Sequence, residues 1–269
     1  RDLSFSAGNV KAIVEAGASA NATVKDNAIE EVTGSLAYKV SDDKGALGSG
    51  SFDAQFAGEV VSGTGSFTLD ADYGFPDRDT GPVVIKAGSR LGVTVENNAP
   101  TEISLESVKF DLVELGSEKT GLVSGTVKGA IALPDFKFTG NGTASVNTGW
   151  SNTTDWGSMG IKEGGEVTVD VDGGAIDKVS LSTVGFTVSI DKGPAPLAME
   201  GVIDGTYSHL TGKASGTIDL FLSNPVTIPV TGGELILGTD TRAKATFQEN
   251  ALEELDFDVQ ADYKKGGKE

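Results

Sequence analysis

Four short segments of the 269-residue sequence share one pattern, and their spacing constrains the fold more than any other feature. Each segment is an apolar residue, a polar residue, two turn-forming residues and an alanine. The segments are 24–28, 95–99, 171–175 and 247–251. Their alanines, at positions 28, 99, 175 and 251, are nearly evenly spaced, and the last two intervals are equal. A regular period of this kind is typical of repeat proteins.

Each of the four segments predicts a β-hairpin. The two central positions hold Asp-Asn, Asn-Asn, Gly-Gly and Glu-Asn. Glycine and asparagine tolerate the positive φ that a type I′ turn requires at both positions. The flanks alternate between apolar and polar residues, as in the stretch from Leu255 to Tyr263. A period of two predicts strands with one apolar face and one wetted, acidic face.

The two middle copies agree in finer detail and predict a β-bulge in each. Five apolar residues of one copy have apolar counterparts at the offset that relates Ala99 to Ala175: Ile103, Leu105, Val108, Phe110 and Leu112 match Val179, Leu181, Val184, Phe186 and Val188. In both copies the apolar positions change from one parity to the other. One extra residue in a strand does this, so we expect bulges near Glu106-Ser107 and Ser182-Thr183.

The pattern therefore predicts an all-β chain of tandem, roughly 75-residue repeats of antiparallel strands and hairpins. Three complete repeats span 25–95, 96–171 and 172–247. Residues 1–24 end a preceding repeat, and 248–269 form the first hairpin of a further one. The Ala-rich stretch 9–22 is interpreted as strand because its end aligns with strand residues of the next copy. Since each repeat has few large apolar residues, it needs its neighbours to complete a core, and we expect an elongated assembly excerpted from a longer array.

Composition excludes several classes of function. The formal net charge is −18, which disfavours binding to nucleic acid or an anionic membrane, because such contacts need Lys and Arg. The chain has no Cys and a single His, so it can form no disulfide framework and no Cys- or His-cluster zinc site. No apolar run approaches the ~20 residues that span a bilayer.

The best metal-like segment is the hairpin tip at 170–177. Asp170, Asp172 and Asp177 would offer Ca²⁺ several oxygen ligands on a turning backbone. The equivalent positions of other copies lack this pattern, and the spacing is not that of an EF-hand. The alternative is a plain hairpin tip with Gly-Gly in the turn, so no cofactor other than this possible Ca²⁺ is expected.

The stretch 147–160 departs most from the repeat, and such departures usually lie on a binding face. Trp150 and Trp156 flank Asn152 and Asp155. Exposed tryptophans beside polar groups could stack on a sugar ring or contact a protein ligand. The alternative is that both tryptophans only close a long loop onto the sheet.

No catalytic constellation is expected, and the chain is interpreted as a non-enzyme. Asp70 and Asp72 alternate, which predicts that both lie on one solvated strand face. His209 has no nucleophile elbow near it and is expected at the surface or a strand edge.

Gly/Thr/Val-rich β-repeats with acidic Asn-Asn or Asp-Asn hairpins resemble the repeat regions of very long bacterial secreted or surface proteins, including those that accompany extracellular contractile injection systems. The resemblance covers the whole chain and transfers no functional residue. It implies an extracellular or cell-surface structural, spacer or interaction module whose partners are flanking repeats of the same longer chain. Two alternatives are a glycan- or protein-binding module that uses the 147–160 loop, and a lipid-accommodating β-groove.

Overall fold

The computed structural model describes residues 3–7, 10–15, 19–26, 28–75, 81–113, 121–155, 157–191 and 196–266. These residues form 23 strands and no helix, which confirms the all-β prediction. The pairings whose register is defined are all antiparallel. The chain divides into two compact units. Unit 1 comprises 1–142 and 170–175, and unit 2 comprises 143–169 and 176–269.

Eleven strands lie wholly in unit 1. They are β1 (Leu3–Ala7), β2 (Val10–Val14), β3 (Ser19–Lys25), β4 (Ala28–Asp42), β5 (Gly45–Ala57), β6 (Val60–Leu69), β7 (Tyr73–Phe75), β8 (Val83–Ile85), β9 (Arg90–Glu96), β10 (Ala99–Val113) and β11 (Gly121–Ala132). The next four strands are β12 (Lys137–Val146), β13 (Trp150–Thr154), β14 (Gly157–Ile161) and β15 (Glu166–Asp172). Of these, β12 and β15 contribute residues to both units.

The remaining strands belong to unit 2, apart from the first residue of β16. They are β16 (Ala175–Ile190), β17 (Leu197–Ser208), β18 (Lys213–Leu222), β19 (Val226–Val230), β20 (Gly233–Leu237), β21 (Arg242–Gln248), β22 (Ala251–Asp258) and β23 (Ala261–Lys265). The Ala-rich stretch 9–22 contains β2 and the start of β3, as its interpretation as strand expected.

In unit 1 the long strands β4 and β10 each have two short strands end to end along one side and one long strand along the other. Strand β4 pairs with β3 at its start and β2 at its end, and with β5 on its far side. Strand β10 pairs in the same way with β9, β8 and β11. Strand β6 then pairs with β9, which continues the sheet between the two long strands.

Unit 2 uses the same arrangement. Strand β16 pairs with β14 along its C-terminal half and with β17 along its far side. Strand β22 pairs with β21, and β23, which follows after a break at Val259-Gln260, pairs with β20. The sheet continues from β17 through β18 to β21.

The predicted hairpin turns have the backbone that a type I′ turn requires. The φ angles are 52° and 69° at Asn97-Asn98, 57° and 88° at Gly173-Gly174, and 52° and 70° at Glu249-Asn250. These positive values confirm the three turns. In the fourth, Asp26 has φ 51° and joins β3 to β4, while Asn27 lies outside the described residues.

Both predicted bulges are present. The register shifts between Leu105 and Val108 where β10 meets β11, and between Leu181 and Val184 where β16 meets β17. Sequence reasoning missed a second set of bulges, two residues after the hairpin alanines, at Glu30, Thr101 and Glu253. Each long strand therefore twists sharply as soon as it leaves its turn.

The hydrophobic core is small, and aromatic rings lying over glycines bury much of the rest. Ser89 is the most buried side chain described, with 1 % of its surface exposed. A β-carbon at Gly50 would lie 2.7 Å from the Tyr38 ring, and one at Gly201 would lie 2.5 Å from the Phe186 ring. A β-carbon at either position would clash with the ring, so only glycine allows the ring to lie flat on the sheet there.

One local expectation was wrong. Asp70 and Asp72 do not share a strand face, because β6 ends at Leu69 and the chain bends before β7. Asp72 instead accepts hydrogen bonds from the Lys86 ammonium and, at 2.8 Å, from the backbone N–H of Ala87. The bend is favoured because it brings the Asp72 carboxylate to two donors of the 85–88 turn, the Lys86 ammonium and the Ala87 N–H.

Candidate interaction surface

One face of the unit 2 sheet is apolar across five strands. Directly opposed residues of neighbouring strands share a face. One such row is Val184, Ile203, Ile218, Ala245 and Leu255, and the next is Phe186, Gly201, Leu220, Ala243 and Phe257. The opposite face is polar and carries Asp219, Lys244 and Asp256 in one row.

Much of the apolar face remains open to solvent. The exposed fraction is 41 % for Tyr207, 49 % for Leu255 and 66 % for Phe257. Soluble monomers rarely expose large contiguous apolar patches, and those that do usually use them for binding. The apolar face is therefore the leading candidate for contact with another molecule.

The predicted Trp150 site lies on this same face. Strand β13 pairs with β14 so that Trp150 opposes Ile161 and Asn152 opposes Met159. Ile161 in turn opposes Phe186 of β16. Trp150, Met159 and Ile161 are 55 %, 52 % and 41 % exposed, so the hairpin presents an aromatic and aliphatic patch next to the Asn152 amide.

The other members of the predicted site are less defined. Asp155 is exposed in the turn that follows β13. Trp156 lies outside the described residues.

A depression of about 560 Å³ lies beside Trp150 and is lined by Ser151, Lys162 and Glu163 among others. The Lys162 ammonium is paired with Glu200. Ser151 and Lys162 each follow Trp150 or Ile161 by one residue, so their side chains lie on the face opposite to the Trp150 side chain. Sequence reasoning missed Met159 and Ile161, whose place beside Trp150 depends on the hairpin register.

An apolar groove of about 210 Å³ crosses the middle of the apolar face. Its walls are Val179, Leu181, Ile203, Tyr207, Ile218 and Phe247. Its floor is the opposed pair Gly205 and Gly216, which have no side chains to fill it. A lining of this kind can hold an apolar group but offers no charge to fix a polar one.

The three predicted calcium ligands differ in their surroundings: Asp170 is half-buried on β15, Asp172 is hydrogen-bonded locally and Asp177 is exposed. The Thr139 hydroxyl donates to the Asp172 carboxylate at 3.3 Å and accepts the Gly173 N–H at 3.0 Å. Asp177 is exposed, and its carbonyl accepts the N–H of His209. In the described part of the chain, no group of three or more His, Cys, Asp or Glu residues could hold a metal ion. Calcium binding stays a prediction.

His209 lies exposed in the turn after β17. Its ring makes an edge contact with Tyr207, with 6.5 Å between the ring centroids and 63° between the planes.

The turns themselves are docked in a way that sequence reasoning missed. Asn98 donates its N–H to the Val61 carbonyl, and its side chain accepts from the Val61 N–H and donates to the Glu59 carbonyl. Asn250 makes the same three contacts with Ala214 and the Gly212 carbonyl. A turn otherwise free in solvent is thereby fastened to the preceding hairpin.

A hydroxyl group completes each docking. The Ser62, Thr139 and Ser215 hydroxyls accept the N–H of the first turn residue at 3.2, 3.0 and 3.0 Å. Each of these residues precedes a glycine. That Ser/Thr-Gly dipeptide recurs at 62–63, 139–140 and 215–216, in step with the turns, and is the signal in the sequence that could have revealed the contact.

Comparisons with protein-family models, with curated proteins and with solved structures return no significant match. Within the described ranges, no helix is long and apolar enough to cross a membrane.

Proposed function

We propose that this chain is a non-enzymatic interaction and spacer module built from tandem β-repeats, each roughly 75 residues long. The observation that carries the proposal is the docking of three turns by the same contacts. At 97–98, 173–174 and 249–250 the second turn residue donates its N–H to a backbone carbonyl of the preceding hairpin. The first turn residue donates its N–H to the side-chain hydroxyl of the residue that follows that carbonyl. Three independent turns would have no reason to share this arrangement.

The order and length of the strands support the same proposal. Three short strands precede each of β4, β10, β16 and β22. The third of these has seven residues every time, and it begins at Ser19, Arg90, Glu166 and Arg242. The intervals between those starts equal the intervals between the four hairpin alanines.

The open edge of β22 supports flanking repeats as partners. Strands β4, β10 and β16 each pair on their far side with a long strand, β5, β11 and β17. Among the described residues, β22 pairs with β21 alone. Unpaired strand edges are templates for another strand, so the β22 edge is suited to the next strand of the repeat that begins at residue 248.

Grafting tests this arrangement. Residues 191–222, which carry β17 and β18, are fused directly after Lys265, which opposes Gly233 as Ile190 opposes Gly157. We expect the graft to pair with β22, to slow hydrogen exchange at residues 252–258 and to raise the melting temperature. A fusion of the same residues in scrambled order is the control. Equal exchange at β22 in both fusions would refute the proposed repeat.

Solution scattering tests the elongated arrangement that serial repeats imply. A compact chain of this length has a radius of gyration of about 18 Å. We expect a value above about 25 Å, because each repeat would add its strands to one side of the last. A radius near the compact value would refute an elongated spacer.

Binding of a glycan or protein at the Trp150 patch is the second candidate, favoured by the exposure of Trp150 beside Asn152. Tryptophan is enriched among residues that dominate binding energy. Titration with oligosaccharides should shift the tryptophan fluorescence, and Trp150→Ala should abolish the shift while Leu210→Ala, at an exposed turn, should not. An unchanged spectrum with every sugar would exclude a glycan ligand at this patch.

A further inference from the structure

The apolar groove of unit 2 corresponds to a place that a phenyl ring fills elsewhere in the chain. In unit 1, Gly129 of β11 lies against Gly140 of β12, and the Phe138 ring covers both. A β-carbon on either glycine would lie 2.7 Å from that ring. The ring is half-buried on the sheet, so the two glycines form a flat seat for it.

The groove has the same floor without the ring. Gly205 of β17 opposes Gly216 of β18, and the offset that relates Ala99 to Ala175 also relates Gly129 and Gly140 to this pair. The atoms nearest to a β-carbon placed on either glycine belong to the backbone; for Gly205 the nearest is the Ser215 carbonyl oxygen, 2.8 Å from that β-carbon. At the same offset, Ala214 is the counterpart of Phe138. The substitution of a methyl group for a benzyl group at this position leaves the groove open.

A third seat in unit 1 is also occupied. The Phe52 ring of β5 covers Gly63 and Gly65 of β6, and β-carbons at these glycines would lie 3.0 and 2.8 Å from it. Phenyl rings thus cover two of three comparable glycine floors. The third is open and lined by carbon atoms of Val179, Leu181 and Ile218.

We propose that this groove binds the phenyl side chain of a partner protein, with the ring seated on Gly205 and Gly216 as the Phe138 ring is seated on its own pair. The inference rests on the proposed role as an interaction module and names the partner's chemistry. An apolar cavity of about 150 Å³ is large enough to bind benzene, and this groove has about 210 Å³. The rings of Tyr207 and Phe247 lie on its walls and offer edge contacts to a bound ring.

Charge restricts the partner segment further. The groove lining itself is apolar, but the whole chain carries a net charge of −18. A segment with Lys or Arg on either side of its phenylalanine would be attracted to this surface, whereas an acidic segment would be repelled. The occupant is therefore a basic segment that presents one phenylalanine.

The test uses the full chain and the peptide acetyl-Lys-Lys-(4-fluoro-Phe)-Lys-Lys-amide, followed by ¹⁹F NMR. We expect a saturable shift with a millimolar dissociation constant, because a single buried ring gives weak binding. Shifts of the methyl signals of Leu181, Ile203 and Ile218 should follow the same curve. The peptide with alanine in place of the phenylalanine should bind at least tenfold more weakly.

Ala214→Phe is the matching variant, since its own ring should occupy the seat and weaken peptide binding at least tenfold. Ala214→Leu fills the groove partly and gives a second measurement if the first variant folds poorly. Absence of a saturable shift with the unaltered chain would overturn the inference, as would equal binding by a norleucine peptide, which would mark a site for alkyl chains. Neither result affects the grafting and scattering tests, so failure here is distinguishable from failure of the repeat proposal.

Discussion

At the scale of single residues, aromatic rings that lie flat over glycines contribute to the packing of the unit 1 sheet. Tyr38 lies over Gly50, stacks on Phe67 with 6.5 Å between ring centroids, and donates its hydroxyl to the Ser66 carbonyl at 2.9 Å. The Tyr38 ring therefore buries apolar area against both Gly50 and Phe67, while its hydroxyl still reaches the Ser66 carbonyl. Side chains that lie flat on a sheet need glycine beside them, which accounts for several of the 37 glycines.

Asn98 tests the value of a docked turn. Asn98→Gly keeps the freedom that φ 69° requires but removes the two side-chain hydrogen bonds to Val61 and Glu59. Each such bond contributes about 0.5–1.5 kcal/mol, so we expect a loss of about 1–2 kcal/mol in the free energy of unfolding measured with urea. Asn250→Gly should cost a similar amount. An unchanged urea midpoint in both variants would mean that the docking adds no stability.

The surroundings of Lys86 predict that the stability of the fold decreases at alkaline pH. The hydrogen bond to Asp72, aided by the charges of Asp72 and, 3.5 Å away, of Asp111, raises the pKa of the Lys86 ammonium above its usual 10.5, although burial opposes this. A raised pKa gives stability that is complete below 10.5 and is lost as the pH rises through the folded-state value.

The urea midpoint should therefore fall more steeply above pH 10.5 for the unaltered chain than for Lys86→Met. Burial also raises the pKa of the Tyr38 phenol, but Tyr38 is present in both proteins and its contribution cancels in the comparison. Parallel curves for the two proteins would contradict the role assigned to Lys86.

At the scale of elements, the loop between two short strands is fastened to the facing chain at the point where pairing passes from one short strand to the other. The Ser89 hydroxyl accepts the Lys109 N–H at 3.0 Å and donates to the Lys109 carbonyl at 3.3 Å. Thr241 exchanges the same two bonds with Gln260, both at 3.3 Å. Lys109 and Gln260 lie in the gaps between these pairings, where their N–H groups face no strand partner, and the hydroxyls satisfy those groups.

Ser89→Ala should be among the more damaging single substitutions. Ser89 is 1 % exposed, so its loss leaves the Lys109 N–H without a partner and away from water, at a cost of about 1–3 kcal/mol. Thr241→Ala removes the same bonds where Thr241 is only half-buried and Gln260 is exposed, so water can replace them and the substitution should cost less. Chemical denaturation of both variants measures the difference, and equal losses would mean that burial at Ser89 is unimportant.

The elements also show what the sequence could predict. The change of parity within 103–112 is long enough to reveal its bulge, whereas the bulge at Thr101 lies two residues from the turn and leaves no run of alternation to read. Trp150 was recognisable as a candidate contact. Its neighbours Met159 and Ile161 were not, because the register across the hairpin is set by turn geometry that side-chain pattern does not encode.

At the scale of the whole molecule, repulsion among the excess carboxylates opposes the attraction within exposed ion pairs. The chain has 39 acidic and 21 basic residues, so 18 carboxylates would remain unpaired even if every Lys and Arg formed an ion pair. The ion pairs are at partly or largely exposed side chains, such as Lys25–Glu30 and Lys39–Glu15. Exposed pairs contribute little, so repulsion among the carboxylates should dominate the dependence on salt.

Salt should therefore stabilise this protein. The Debye length falls from about 30 Å at 0.01 M to about 10 Å at 0.1 M, which screens repulsion between acidic residues that are not neighbours more than it weakens pairs in contact. We expect the melting temperature, measured by calorimetry, to rise between 10 and 200 mM NaCl and then to level off. An uncharged osmolyte at equal osmolality serves as the control for effects of solvent exclusion. A melting temperature that fell with added NaCl would mean that the ion pairs outweigh the excess of 18 negative charges. The acidic strand faces would then be parts of attractive ion-pair networks and not surfaces that keep neighbouring strand edges apart.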